Sequence, residues 1–353
     1  MHVGYEAAFQ HRSDHPDGEF IERELEFCVR AEDSGFDSVW LTEHHFSNYG
    51  LVPDPLQMLT YIGSRTRTIQ LGTAVLVLPW HDPVRLTEQV ILADHLSGGR
   101  LVLGLGRGLG QDEYEGLRVP MEQSRARFNE YAQILLHGLE TGIVEGGPTV
   151  RQPRRELRPR PRGSFGGRVF SATVSPQSGP LMARLGLGAM YIIVKPLELM
   201  QLDHERYCDA WQEVHGQGSE PPQPLLSATV VVDEDEDRAL ELAAKYDRAA
   251  HAVAVDHYGM AKPEFGTVKG YEYYRVMRAS TAGPAAGSAP ATVVYGTPDQ
   301  VLEKLADYKK RLDLQGVLAI FHGIPEEEGA RSLDCFVRHC LPELQSWPAR
   351  SSF

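Results

Sequence analysis

The sequence is poor in cysteine, in positive charge and in long apolar runs, and each shortage removes a class of protein. Cys28, Cys208, Cys335 and Cys340 are the whole complement in 353 residues. None stands in a C-x-x-C pair, so reduced thiols are expected rather than a disulfide framework or a zinc site. Lys and Arg number 35 against 48 Asp and Glu, a net charge of −13 that repels nucleic acid at long range. Any phosphate bound here is a small one, held locally. No apolar run approaches the ~18 residues of a membrane span. The first residues, "MHVGYEAAFQ", lack the basic-then-apolar order of a secretory leader. A soluble, cytoplasmic protein with no nucleic-acid or membrane partner is the expectation.

What is present is a repeating alternation. "HVGYEAAF", "DSVWL", "TIQLGTAVLVL" and "RLVLGLG" are each followed by an amphipathic segment, over 19–34, 54–66, 83–97 and 122–140. "GRVFSATV", "LGAMYIIV", "LLSATVVV" and "GVLAIFHG" continue the series, with helices expected from about Ser175, over 197–214, from "DEDEDRALEL" and over 326–345. The apolar runs show little alternation, as strands buried on both faces do, so the sheet should be parallel with right-handed helical crossovers. Eight such units predict one α/β domain over 1–353, a single (β/α)8 TIM barrel. Two stretches interrupt it: a Gly-, Pro- and Arg-rich insertion at 142–167, and 255–292, where Tyr258, Tyr271, Tyr273 and Tyr274 precede "ASTAGPAAGSAPA". The second reads as a lid between the seventh and eighth strands.

In such a barrel the active site collects where strands end, which singles out "WLTEHHF". Glu43, His44 and His45 follow a strand directly. Neighbours on extended chain point to opposite sides, so the two imidazoles are not expected to share a metal; strand-end groups bonded to backbone are the plain alternative to a functional role. After the fourth strand, "GLGRGLGQDEYEG" spaces its glycines as G-x-G-x-G-x-G, which fails the dinucleotide fingerprint. It reads either as an ordinary glycine-rich turn or as a place where Arg107 meets a planar ligand at close range. Glu113 and Arg125 lie just beyond. After the fifth strand, Ser175 and Pro176 read as N-cap and first helical residue, a helix start whose free N–H groups suit a phosphate, with Ser175 and Ser178 as hydroxyl donors.

"GFDSVWLTEHHF", "GTAVLVLPWHDPVRLTEQVILADHLSGGRLVLGLGRG" and "SRARF" together resemble the bacterial luciferase-like, flavin-dependent monooxygenases, and the likeness returns at "TVSPQSG" and "VVYGTPDQVLEKL". The resemblance implies reduced FMN, supplied by a separate flavin reductase, and oxygen transfer from a flavin hydroperoxide to an organic substrate. It implies that His44 handles protons beside the flavin, with Glu43 and Glu113 in the catalytic group. Ala74, Val75, Gly106, Arg107, Leu109, Arg125, Val174, Ser175 and Ser178 are implied at the cofactor, with a cis peptide at Ala74–Val75. Gly106 stands where luciferase carries a reactive thiol, which implies a wider pocket and removes a reason to expect light emission. Val174 and Pro176 also depart from luciferase.

The leading expectation is therefore an FMN-dependent monooxygenase acting on an apolar or aromatic molecule. Two alternatives stay open: a hydride-transferring oxidoreductase using a deazaflavin, whose polyanionic tail the basic stretch 151–168 could answer, and a flavin-binding protein without turnover. Leu56, Met58, Leu59, Ile62, Leu86, Val90, Ile91 and Leu96 give helices 54–66 and 83–97 more apolar residues than one barrel face should need. A two-fold homodimer through them is expected, as the resemblance also implies.

Overall fold

The computed structural model describes residues 1–11, 16–275, 290–322 and 327–350. Strands β1 (His2–Ala7), β2 (Ser38–Leu41), β3 (Gln70–Thr73), β4 (Leu76–Val77) and β5 (Leu101–Gly106) alternate with helices α1 (Asp17–Asp33), α2 (Pro55–Arg65) and α3 (Pro83–Leu96). Helices α4 (Gln111–Gly116) and α5 (Ser124–Thr141) lead to a hairpin, β6 (Ile143–Gly146) and β7 (Gln152–Glu156), inside the predicted insertion. Then come β8 (Val169–Ala172), α6 (Ser178–Leu185), β9 (Gly188–Ile192), α7 (Leu197–His215), β10 (Leu225–Val232) and α8 (Glu236–His257). The eighth barrel strand is β12 (Gly316–Ile320), reached through β11 (Val293–Gly296) and a helix, Pro298–Leu312.

The sheet closes. Parallel pairing runs β12–β1–β2–β3–β5–β8–β9–β10, and β10 returns to β12, so the eight apolar runs of the sequence are the eight staves. Helix starts follow local chemistry: Asp54 and Asp82 each accept backbone N–H bonds ahead of a proline at the first helical position. The one helix start read wrongly is α6. It begins at Ser178 behind Gln177, not at Ser175, whose carbonyl instead accepts the Ser178 N–H at 2.9 Å.

Register fixes which residues face inward. Trp40, Val102, Phe170, Met190, Leu225 and Leu318 form an apolar plug within the barrel. Gly72 makes room for it, since a Cβ there would meet the Trp40 ring at 2.1 Å. Nearer the C-terminal ends of the same strands and of β1 and β3, the inward positions are Glu6, Ala74, Gly106, Ala172, Ser227 and Ile320, and these line a cavity.

Three expectations need correction. The basic stretch 151–168 lies at the opposite end of the barrel: the Arg160 carbonyl faces His95 at 2.8 Å, and Arg168 donates to Asp94 and to the carbonyls of Gly99 and Leu101, all at the N-terminal edge of β5. Of the apolar residues counted towards a dimer, Leu56, Leu59, Ile62, Leu86, Val90 and Ile91 are buried in the chain's own core. The outward apolar residues of these helices are Tyr61, Leu92 and Leu96. Finally, β11 and the helix after it were not foreseen, and the segment 255–292 begins inside α8. Its residues 276–289 lie outside the described residues. Among the described residues no helix is long and apolar enough to cross a membrane.

Candidate active site

The cavity, of about 440 Å³, opens at the C-terminal ends of the strands. The site residues singled out from sequence line it except His45, which turns away, and Ser175, which is buried with its hydroxyl 2.9 Å from that of Ser178. Val174 and Ser178 present the α6 end to the cavity; Leu109 and Arg107 come from the loop after β5. The Ala74–Val75 peptide is cis. Gly106 does not widen the pocket as its lack of a side chain suggested, because the Val75 methyl group already fills the space: a Cβ on Gly106 would stand 2.1 Å from it.

Two buried carboxylates organise the two histidines. Glu43 Oε2 accepts the Val77 N–H at 2.7 Å, while Oε1 faces His81 Nε2 at 2.7 Å and His45 Nε2 at 3.4 Å. Burial alone would raise the Glu43 carboxyl, but the hydrogen bonds from His45, His81 and Val77 outweigh it and hold the group below its ordinary range. Glu113 sits in the first turn of α4, where the helix end favours an anion. Its Oε1 accepts the His45 backbone N–H at 2.9 Å and faces His44 Nδ1 at 3.2 Å. Its Oε2 lies 3.4 Å from His257 Nε2. Burial would raise this carboxyl too; His257 and His44 bring it down to about 2.

His44 and His45 thus point apart, as adjacent residues on extended chain must. The His45 ring turns from the cavity towards Glu43 and packs on Trp80 at 5.3 Å, whereas His44 lines the cavity. Burial lowers the His44 pKa, and the opposing pull of Glu113 does not restore it, so the imidazole is neutral at neutral pH. With Nδ1 facing an ionised carboxylate, Nε2 is the atom left to exchange a proton with the cavity.

Nothing in the sequence pointed to His257. It ends α8, stacks on Tyr49 at 4.6 Å and brings Nδ1 to 2.6 Å from the Ser47 hydroxyl. Its donor atom, with those of His44 and Glu113, lies in a group within 4.8 Å. His44 Nδ1 meets Glu113 Oε1 and His257 Nδ1 meets the Ser47 hydroxyl at hydrogen-bond distance, while His257 Nε2 and Glu113 Oε2 approach at 3.4 Å without a hydrogen bond. His81 was also missed, although "PWHDP" places it just past the third strand.

Two guanidinium groups gather at the cavity wall. Arg107 donates to the Gly270 carbonyl at 2.8 Å and covers the Tyr271 ring at 3.8 Å, so the described part of the 255–292 segment is fastened to the loop after β5. Tyr258 and Tyr274 from that segment line the cavity. Arg125 has no hydrogen bond or ion pair among the described residues. Burial first, then the charge of Arg107, lowers its pKa to about 10, which leaves it a cation at neutral pH.

A closed parallel barrel with a ligand cavity at its C-terminal face, two histidines on buried carboxylates and two arginines at the cavity wall, defines a class of small-molecule α/β barrels. The chain belongs to the luciferase-like monooxygenase family, whose profile matches residues 1–315. It is 42% identical to the uncharacterized protein y4vJ of Sinorhizobium fredii over 40% of this chain and 42% of that protein. To the alkanal monooxygenase alpha chain of Photorhabdus luminescens it is 28% identical, over 65% of this chain and 63% of that one. The chain thus spans less than two thirds of the length of these curated relatives. Among solved structures, monooxygenase RslO1 from Streptomyces bottropensis superposes with a TM-score of 0.74 at 26% identity, covering 97% of this chain and 99% of that chain. Two more distant structures share the fold. They are the oxygenating constituent of 3,6-diketocamphane monooxygenase from Pseudomonas putida in complex with FMN (TM-score 0.75, 16% identity, 99% and 100% coverage), and an F420-dependent secondary alcohol dehydrogenase (0.74, 15%, 96% and 98%).

Proposed function

We propose that this chain is an FMN-dependent monooxygenase that oxygenates an apolar or aromatic organic substrate with dioxygen, its reduced flavin supplied by a separate reductase. The observation that carries the reading is Arg125: a cation at the cavity wall beside a second guanidinium, with no carboxylate partner among the described residues. Two like charges held together in a partly buried wall are costly unless an anion sits between them. A terminal phosphate is that anion, and Ser178 and Arg107 also line the cavity.

The rest of the cavity fits the flavin. The small Ala74 lets a flat ring approach the backbone, and Leu109, Val75 and Val174 give it apolar cover. Bound and reduced, FMN supplies the electrons that activate dioxygen. His44, neutral and fixed by Glu113, takes or returns a proton at Nε2. Glu43 holds the backbone at Val77 and the His45 ring, so it orients the loop beside the cis peptide. The aromatic rings of Tyr258 and Tyr274 favour an apolar or aromatic substrate and exclude water from it. The deazaflavin alternative loses the support of the basic stretch 151–168, which lies at the far end of the barrel.

The test is an anaerobic titration of the apo-protein with reduced FMN and, separately, with a reduced deazaflavin. Tight binding of FMN alone is the expected result; tight binding of the deazaflavin alone overturns the reading, and binding of neither removes the cofactor role.

A further inference from the structure

Glu6 has no part in the chemistry described so far, yet it is the one acidic or basic side chain among the inward-facing barrel positions Glu6, Ala74, Gly106, Ala172, Ser227 and Ile320. It is 4% exposed and lies on the cavity wall. Register puts Gly4, two residues earlier on β1, within the apolar plug, where a Cβ would meet Ser38, Trp40 and Leu318. The Glu6 side chain therefore stands directly above that plug and below the open cavity. Oε2 of its carboxyl has no hydrogen-bond partner among the described residues, and Ser227 is its polar neighbour. A buried carboxyl in this position is too costly to keep ionised with one hydroxyl for company. Burial pushes it up to about 8, against the opposing pull of Ser227. At neutral pH it is a carboxylic acid with an O–H free to donate. The titratable groups on the strands that flank it are Glu43, just past β2, and His322, just past β12; Glu43 is already engaged by His45, His81 and Val77.

We infer that Glu6 is a substrate-recognition residue: its protonated carboxyl donates a hydrogen bond to a carbonyl or hydroxyl oxygen on an otherwise apolar substrate. The inference deepens the monooxygenase reading and rests on it for the identity of the ligand as substrate. It narrows the substrate class from hydrocarbons to oxygen-bearing apolar molecules. A plain hydrocarbon would seal the Oε2 side of Glu6 away from water without giving it a partner, which costs binding. An amine would instead take the proton and form an ion pair.

Three matched probes separate these cases: alpha-tetralone, the hydrocarbon tetralin, and alpha-aminotetralin. Their affinities for the FMN-loaded protein are measured by calorimetry in wild type, Glu6→Gln and Glu6→Leu. Wild type should bind the ketone about tenfold more tightly than the hydrocarbon, the worth of one hydrogen bond to a buried group. Glu6→Gln keeps an N–H donor and should keep the preference, and Glu6→Leu should lose it while binding tetralin at least as well as wild type does. A ketone preference that survives in Glu6→Leu, or a wild-type preference for the amine, overturns the assignment. Isotope-edited infrared spectroscopy on the flavin-free protein reads the proton itself. A carboxylic C=O band that is assigned by its loss in Glu6→Gln should be present at pH 7 and fade above about pH 8; its absence at pH 7 refutes the donor role. That measurement needs no FMN, so its outcome is separable from failure of the flavin reading, which shows as absence of FMN binding in the wild type.

Discussion

His44 and Arg125 divide the work of the proposed site between proton transfer and anchoring, and single substitutions should separate the two. His44→Ala should leave FMN affinity within about threefold of wild type, while product yield per flavin oxidised falls by the ~100- to 10,000-fold typical of a lost general acid or base. Rapid mixing of bound reduced FMN with oxygen, with the flavin oxidation and product counted, checks this; an unchanged yield would remove His44 from the chemistry. His45→Ala should affect folding more than turnover, because its ring serves Glu43. The Glu43–His81 pair makes a pH-dependent contribution to stability. Burial lowers the His81 pKa, but the Glu43 bond and charge outweigh it and raise the group above 6.5, while Glu43 is held below 4.5. A raised imidazole stabilises below its unfolded pKa and loses that contribution as pH rises through the folded value; a depressed carboxylate stabilises above its unfolded pKa and loses it as pH falls. The pair therefore contributes most between about pH 4.5 and 6.5. His81→Gln should lower Tm most within that window and progressively less above it, and a Tm difference that grows with rising pH would contradict the pairing.

At the scale of elements, the sequence was most legible where one local rule acted alone. The eight staves announced themselves as apolar runs, and the amphipathic segments 54–66 and 83–97 proved to be α2 and α3, each starting with an Asp N-cap before a proline. The start of α6 was misread because Ser175-Pro176 satisfies the same rule, yet the chain makes one further turn and Ser178 becomes the first helical residue. β11 and Pro298–Leu312 were passed over although Thr297 and Gln300 form a capping box, since a barrel of eight units left no place for an extra strand. His257 was illegible for a different reason: its partners Ser47 and Tyr49, on the loop after β2, and Glu113, in α4, lie far away in the chain, and no periodicity joins them. Those contacts fasten the end of α8 to the loop after β2. His257→Ala should speed amide exchange over 256–275 by about tenfold and leave β1, β2 and β12 unchanged. Equal protection in both proteins would mean that Arg107 and Tyr271 hold the segment without it.

For the whole molecule, the dimer first expected from buried leucines now rests on different residues. Leu92 and Leu96 are 48% and 60% exposed on α3, apolar residues one turn apart that a second copy could cover. Light scattering should give about twice 39.3 kDa, and Leu92→Glu with Leu96→Glu should return the mass to one chain; a wild-type mass of one chain across micromolar concentrations would rule out the dimer. The proposed function requires that the cavity bind a flavin through its phosphate. FMN and riboflavin differ by that phosphate alone, so their affinities for wild type and Arg125→Ala give a double comparison in a single calorimetric series. Wild type should prefer FMN by about a hundredfold, as two charge-assisted contacts to a dianion allow, and Arg125→Ala should lose most of that preference while its riboflavin affinity holds. Equal binding of FMN and riboflavin by the wild type would contradict the account.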